Sequence, residues 1–279
     1  PLLVLLTCAA AGGEWRAALP AASCVELLHN FSLIHDDIED NSPLRRSRET
    51  LWRRWGVAQA INTGDMLFTL AHQTLLGLEQ TLPAPLVLQS VRLVYQTCLA
   101  LTQGQHLDIA YEAYRSLPLD AYWPMVTGKT AALLGACARL GALAAGADEA
   151  VQQAYQRFGA ALGLAFQVQD DILGVWGDPQ VTGKSTASDL LAGKKSLPVL
   201  YGLSLDGPFA RRWLAGPLQP EEVAGLAAQL AAEGAREHAA QAADRLTGQA
   251  LQALQQADPK GPAGEALRLL ADRLLQRQV

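Results

Sequence analysis

Residues 25–40 read VELLHNFSLIHDDIED, an apolar helix-forming run that closes in a knot of acids, Asp36, Asp37, Glu39 and Asp40. The pattern returns at FQVQDDIL (166–173), again at the far end of an apolar helical stretch. Working outward from these two runs, helical periodicity continues almost end to end. Helices are expected over 2–11, 20–40, 52–78, 84–112, 119–145, 148–176, 187–203, 220–232, 235–256 and 262–277. Breaks fall at Gly12-Gly13, Asn41-Ser42-Pro43, Pro83 and Pro85, Gly146, Gly177-Asp178-Pro179 and Asp206-Gly207-Pro208, where turn chemistry favours them. No run alternates Val, Ile or Thr in the way a sheet requires. The expectation is a single all-α domain spanning 1–279, without internal repeats.

Composition narrows the function. Half of the 279 residues are hydrophobic and 18% are charged, which excludes a disordered chain. A formal charge of −5 argues against nucleic acid, whose phosphates demand a basic footprint. Cys8, Cys24, Cys98 and Cys137 form no Cys-x-x-Cys pair and sit in Ala/Leu-rich stretches, so free buried thiols in a reducing cytoplasm are expected. The apolar opening from Pro1 to Ala10 lacks the basic start of a signal and is too short to span a bilayer. It reads as a buried helix, and the missing Met as a start inside a longer protein. No transmembrane segment is expected.

The two knots carry the chemistry. Asp36 and Asp40 are spaced i,i+4, so their carboxylates leave one helical face about 6 Å apart along the axis. Like charges at that spacing repel unless a cation joins them. Hard oxygen ligands so placed suit Mg²⁺, which takes one or two carboxylates and completes its shell with substrate phosphate and water. A solvated helix end is the plain alternative for one such knot; two in a charge-poor chain argue against it. Arg45 and Arg46 follow the first knot, Lys129 and Thr130 sit in a Gly-Lys-Thr step, and Lys184, Lys194 and Lys195 follow the second. The Gly-Lys-Thr step is no nucleotide P-loop, since no Gly stands five residues before Gly128. Beside two metal knots these cations suggest a clamp for diphosphate.

LIHDDIED followed by NSPLRR (33–46), AINTGD (60–65), GQHLD (104–108), GKT (128–130), FQVQDDILGVWGD (166–178) and GKSTASDLLAGKKSLP (183–198) together resemble the trans-isoprenyl diphosphate synthases, over about residues 25–203. The resemblance implies an isoprenoid synthase helical bundle, with both knots facing each other across a deep central cavity. It implies a homodimer and about three Mg²⁺ per active site. The substrates implied are isopentenyl diphosphate and an allylic diphosphate (dimethylallyl, geranyl or farnesyl). By position, Asp36, Asp40 and Asp170 resemble direct metal ligands, and Asp37 and Asp171 assist through water or hydrogen bonds. Arg45, Lys129, Gln167, Lys184 and Lys194 resemble contacts to the allylic diphosphate, with Thr130 lining the same site. His29 and Arg46 resemble contacts to isopentenyl diphosphate, and Gln105 and Asp108 polar groups at a bend beside the metals. The implied chemistry is ionisation of the allylic diphosphate, attack by the alkene and loss of a proton to the departed diphosphate. No protein general base is named.

Two departures stand out. Gly174 occupies the place where the family carries an Asp four residues after Asp170, with Asp178 a further candidate beyond the turn; a Gly174→Asp change is expected to matter little. The family's upstream Gly-Lys-x-x-Arg segment is not in the sequence. For product length, Ser32 lies four residues before Asp36 on the same face, where a small residue leaves the cavity open, and Phe31 lies five before and rotated, where an aromatic can close it lower down. That pattern resembles a geranylgeranyl (C20) synthase. The alternatives are a farnesyl or longer-chain synthase, a terpene cyclase, and a non-catalytic partner subunit. Seven of the 27 acids lie in or beside the knots, and without them the net charge would turn positive.

Overall fold

Ala and Leu supply helix propensity throughout, and the computed structural model, which describes residues 1–178 and 187–275, turns nearly all of it into helix. The helices are α1 (Leu2–Ala10), α2 (Leu19–Glu39), α3 (Leu51–Trp55), α4 (Val57–Leu75), α5 (Ala84–Glu112), α6 (Tyr122–Val126) and α7 (Ala132–Ala144). They continue with α8 (Glu149–Trp176), α9 (Ser188–Leu191), α10 (Leu197–Ser204), α11 (Pro208–Leu214), α12 (Val223–Ala232), α13 (Ala235–Gln256) and α14 (Gly261–Leu275). Prolines open α2, α5, α10 and α11, where a missing N–H costs nothing. Asp148 caps α8 by accepting from the Val151 amide at 2.9 Å.

Differences from the expected elements have local causes. The run 52–78 divides at Gly56, whose φ of +85° no helix accommodates. The run 119–145 begins in a 3₁₀ turn and passes through a π-helical turn, Thr127–Ala131. Residues 208–214, which follow the expected break at Asp206-Gly207-Pro208 and lie outside the expected helices, form α11. A two-stranded ladder, Leu44–Arg45 with Arg48–Glu49, stands where no strand was expected. It is too short to show a period.

Helix α8 is the central staff, packed between α7 and α13, while α2 lies along α4. Its second half joins α10, α12 and α13 in one apolar cluster. Helices α1, α2, α4, α5 and α7 build a second. The first half of α8 with α1, α7, α13 and α14 builds a third. The expected buried opening helix is present: Val4, Cys8 and Ala10 of α1 are fully buried. Cys8, Cys24, Cys98 and Cys137 are all free, with Cys98 only partly buried, and burial pushes each thiol up to about 11 or 12.

Two segments, Trp15–Glu39 and Ala84–Glu112, are long and apolar enough to cross a membrane by length and composition, which the sequence reading did not anticipate. Only 33% and 28% of their most apolar windows are buried within this chain, so both keep apolar surface outside the core.

Candidate active site

Helical geometry sorts the first knot. Asp36 and Asp40, one turn apart, share a face, while Asp37 is turned about 100° away and buried. Asp37 accepts from Arg45 Nε at 2.7 Å. Arg45 reaches it from the short ladder, whose register pairs Leu44 with Glu49 and Arg45 with Arg48. The connecting residues Arg46 and Ser47 both have positive φ (51° and 63°), the handedness a two-residue hairpin favours. Neither is glycine, and the left-handed conformation costs about 1–2 kcal/mol at each. The Thr50 hydroxyl and the Trp52 indole offset it by both donating to the Ser42 carbonyl at 2.9 Å.

Burial pushes the Asp36 carboxyl up to about 6, with Lys129 pulling against it and Asp40 and Glu39 adding to it. Burial raises Asp40 too, with Asp108 among the charges that reinforce the shift. These are carboxylates short of positive charge.

The second knot is sorted the same way. Asp171 is 1% exposed. It accepts from Tyr122 Oη at 2.7 Å, Gln167 Nε2 at 3.0 Å and the Leu197 amide at 3.1 Å, with Lys194 Nζ at 3.9 Å. Burial raises its carboxyl, and those four partners oppose the rise. Asp170, a residue earlier on α8, is only partly buried. Thr130 Oγ1 donates to Gln167 Oε1 at 2.9 Å, so Thr130, Gln167 and Asp171 form one chain. Asp37 and Asp171 are the two acids expected to assist the metal through water or hydrogen bonds. Their carboxylates are engaged by protein donors, which leaves Asp36, Asp40 and Asp170 as the open oxygens.

Lys129 is presented by the π-helical turn, which pushes Lys129 and Thr130 out of the regular helical track. A Cβ at Gly104 would stand 2.1 Å from the Lys129 nitrogen, and one at Gly128 would stand 2.6 Å from the Ala100 carbonyl oxygen. The two glycines let α5 and the turn meet backbone to backbone. Lys129 Nζ there ion-pairs with Asp108. Gln105 Nε2 donates to Glu39 Oε2 at 2.7 Å, tying α5 to α2. Gln105 and Asp108 both stand within the helical run of α5. Asp108 couples the two knots, its charge acting on Asp40 and on Lys194. Burial alone would depress Lys194, but Asp171, Asp189, Asp170 and Asp108 hold its ammonium well above its ordinary value.

A cavity of about 1000 Å³ opens beneath, between α2, α4, α5 and the π turn. Asp36, Glu39, Gln105 and Lys129 line its polar end, and Leu28, Phe31, Phe68, Tyr95 and Leu133 its apolar depth. Phe31 and Ser32, the two positions expected to govern chain length, both line it. The Phe31 ring lies 5.1 Å from that of Phe68, Phe68 4.4 Å from His72, and His72 4.7 Å from Tyr95. Ser32 Oγ donates to the His29 carbonyl within its own helix.

His29 is depressed by burial, with Arg46 and Arg45 adding to the shift against Glu26, so the His29 ring and the two expected arginines share one neighbourhood. Lys184 lies outside the described residues. Asp178 is exposed at the end of α8. Tolerance of Gly174→Asp requires the Asp189 side chain to shift. A Cβ there would meet the Asp189 carboxylate at 2.2 Å. Sequence reasoning missed Tyr122 and Asp189 as parts of the site; Asp189 lay inside a quoted motif, and nothing local marks Tyr122.

Among the described residues no three His, Cys, Asp or Glu side chains converge into a ready-made metal cage. The open donors fit Mg²⁺ instead, an ion that asks little of the protein and takes the rest of its shell from phosphate and water.

The polyprenyl synthetase family model matches residues 1–224. A (2E,6E)-farnesyl diphosphate synthase of Mycobacterium tuberculosis is 39% identical, covering all of this chain and 79% of its own length. A geranylgeranyl diphosphate synthase of the same species is 46% identical over 72% of this chain and 57% of its own length. The crystal structure of a geranylgeranyl pyrophosphate synthase from Corynebacterium glutamicum, complexed with isoprenyl diphosphate and magnesium, superposes with a TM-score of 0.86 at 28% identity, covering 100% of this chain and 86% of that one.

Proposed function

This chain belongs to the polyprenyl synthetase family, and from that premise we propose that it makes geranylgeranyl diphosphate, C20, at a Mg²⁺ site formed by Asp36, Asp40 and Asp170. It is a prenyltransferase of the all-α isoprenoid synthase fold that condenses isopentenyl diphosphate with an allylic diphosphate and releases diphosphate. Bound Mg²⁺ supplies the positive charge that makes diphosphate a leaving group. Lys129, Arg45 and Lys194 complete the clamp on the allylic diphosphate, with Gln167 and Thr130 beside them and Lys184 assigned by motif. His29 and Arg46 receive isopentenyl diphosphate. The apolar walls keep water from the allylic cation.

The observation that carries the C20 reading is the depth of the aromatic floor. Tyr95 lies ten residues before Gln105 on α5, about 15 Å along the axis. An isoprene unit advances a chain by four carbon–carbon bonds, about 5 Å when extended. Three units therefore fit between the polar end and Tyr95, the far ring of the stack, which admits a C15 allylic diphosphate as the last substrate and yields C20. The test is incubation of the purified protein with Mg²⁺, isopentenyl diphosphate and farnesyl diphosphate, with products identified by mass. A C20 diphosphate is expected; refusal of farnesyl diphosphate while geranyl diphosphate is extended to C15 would reassign it as a farnesyl synthase.

A homodimer fits the surface. Val57, Ile61, Met66 and Leu70 of α4 and Leu88 and Leu99 of α5 are exposed. The cavity is open along this side, where Leu99 and Ile109 both line it and face outward. We read α2 and α5 as cavity walls and α4–α5 as the face a second copy covers. Four free thiols support a reducing, cytoplasmic setting.

A further inference from the structure

Residues 44–55 run against the charge of the rest of the chain. They read LRRSRETLWRRW and hold five arginines and one acid, Glu49, in a protein whose formal charge is −5. Arg45 is engaged by Asp37. Arg46, Arg48, Arg53 and Arg54 are exposed and enter no ion pair among the described residues. The apolar groups set among them are exposed as well, Leu44 at 60% and Trp55 at 57%. The Arg54 guanidinium stands 4.8 Å over the Trp55 ring, so ring and cation face outward together.

The patch is held as one unit. Leu44–Arg45 pairs with Arg48–Glu49, and the base of this hairpin is tied to the start of α3. Thr50 N–H donates to the Pro43 carbonyl at 3.1 Å, and the Trp52 indole to the Ser42 carbonyl at 2.9 Å. Gly56, φ +85°, then ends α3 directly after Trp55. Guanidinium groups alone would suit any polyanion, but the phosphates of a nucleic acid offer nothing to Leu44. A second copy meeting this patch face to face would set guanidinium against guanidinium. The headgroup layer of an anionic bilayer accommodates every group present. Its phosphates accept from arginine, and tryptophan rings settle where headgroups meet hydrocarbon. At physiological salt the acidic remainder of the chain is screened beyond about 8 Å, so the local charge decides the contact.

We propose that residues 44–55 dock this chain on the surface of an anionic lipid bilayer, with Leu44 and Trp55 entering the headgroup layer and Arg48, Arg53 and Arg54 contacting lipid phosphates. The docking is peripheral and does not depend on the product made. Arg45 of the same hairpin reaches the first knot, so docking sets the polar end of the cavity toward the bilayer. The test sediments the full chain with vesicles of phosphatidylglycerol and phosphatidylcholine in equal parts, and with vesicles of phosphatidylcholine alone. Binding to the anionic vesicles is expected, about tenfold or more weaker to the neutral ones, and falling as NaCl is raised. Arg53→Ser with Arg54→Ser should bind about 25-fold more weakly, at about fivefold per arginine near an anionic surface, while turnover in lipid-free buffer stays as in the parent. Phospholipids brominated along their acyl chains should quench the parent's tryptophan emission, and Trp55→Ser should lose that quenching; this readout decides the matter if the arginine pair fails to fold. Equal binding of the parent to both vesicle types would overturn the proposal. So would undiminished binding of a folded arginine pair, or quenching that persists in Trp55→Ser. A parent that ignores vesicles, while the arginine pair changes its oligomeric state in ultracentrifugation, would give the patch to a second copy instead. Retention of an oligonucleotide in preference to anionic vesicles would give it to nucleic acid, and either result sinks the lipid reading.

Discussion

At the residue scale, the site runs on carboxylates of two kinds that look alike in sequence. Asp37 and Asp171 are braces, each buried and engaged by donors of this chain. Asp36 and Asp40 are open and held above the ordinary carboxylate range by burial. The sign for Asp36 follows directly. Its folded value of about 6 exceeds its unfolded value of 3.8, so the folded state binds more protons across that window. Its contribution to stability therefore declines as pH rises from about 4 through about 6. Cation binding needs the ionised form. The affinity of the free protein for Mg²⁺ with diphosphate should thus climb between pH 5 and 7, and calorimetric titrations at those two pH values check it; a flat profile would remove Asp36 from the cation site. For the braces, Tyr122→Phe takes one of three hydrogen-bond donors from a carboxylate with no access to water. A loss of about 1–3 kcal/mol in denaturant unfolding is expected, with Mg²⁺ affinity changed far less than by Asp36→Asn.

At the element scale, two features aim side chains that propensity alone would not. The π turn delivers Lys129, and it can do so only because Gly104 and Gly128 let α5 lie against it. Gly104→Ala would drive a methyl carbon into the Lys129 backbone, and overpacking of this kind costs about 1–3 kcal/mol or more. Activity should fall with stability, whereas Gly248→Ala on α13, where a Cβ meets nothing within 4 Å, should preserve both. The aromatic stack is the second such feature, with Phe31 on α2, Phe68 and His72 on α4, and Tyr95 on α5. A floor shared among three helices is lowered by removing its deepest ring. Tyr95→Ala should lengthen the product by at least one C5 unit, and Phe31→Ala should do so to a smaller degree, because Phe68 remains beside it. Chromatography of the dephosphorylated products reads this out, and an unchanged profile in both variants would place the floor elsewhere.

At the scale of the whole molecule, the unburied side of α4 and α5 leaves the cavity open along Leu99 and Ile109. A second copy on that face would close it and remove the apolar side chains from water in one step. Met66→Glu with Leu99→Glu should convert a dimer into a monomer in analytical ultracentrifugation. Product chains in that variant should lose their sharp length distribution, since one wall of the cavity would be solvent.

Much of this was legible in the sequence for a simple reason: helical periodicity, turn chemistry and an i,i+4 pair of acids are local, and their geometry follows from the pitch of a helix. The all-α class, the helix boundaries at 84–112 and 235–256, and the shared face of Asp36 and Asp40 required no partner. What only the tertiary structure decided is which acids are open and which are braced. That depends on Arg45 arriving from a hairpin, Tyr122 from α6, and Leu197 from α10. The same holds for Gly174 and Asp189, fifteen positions apart, where a glycine on one helix lies directly against a carboxylate from another segment. Burial and partnership are properties of the assembled fold, and a chain read residue by residue carries no record of who will stand next to whom.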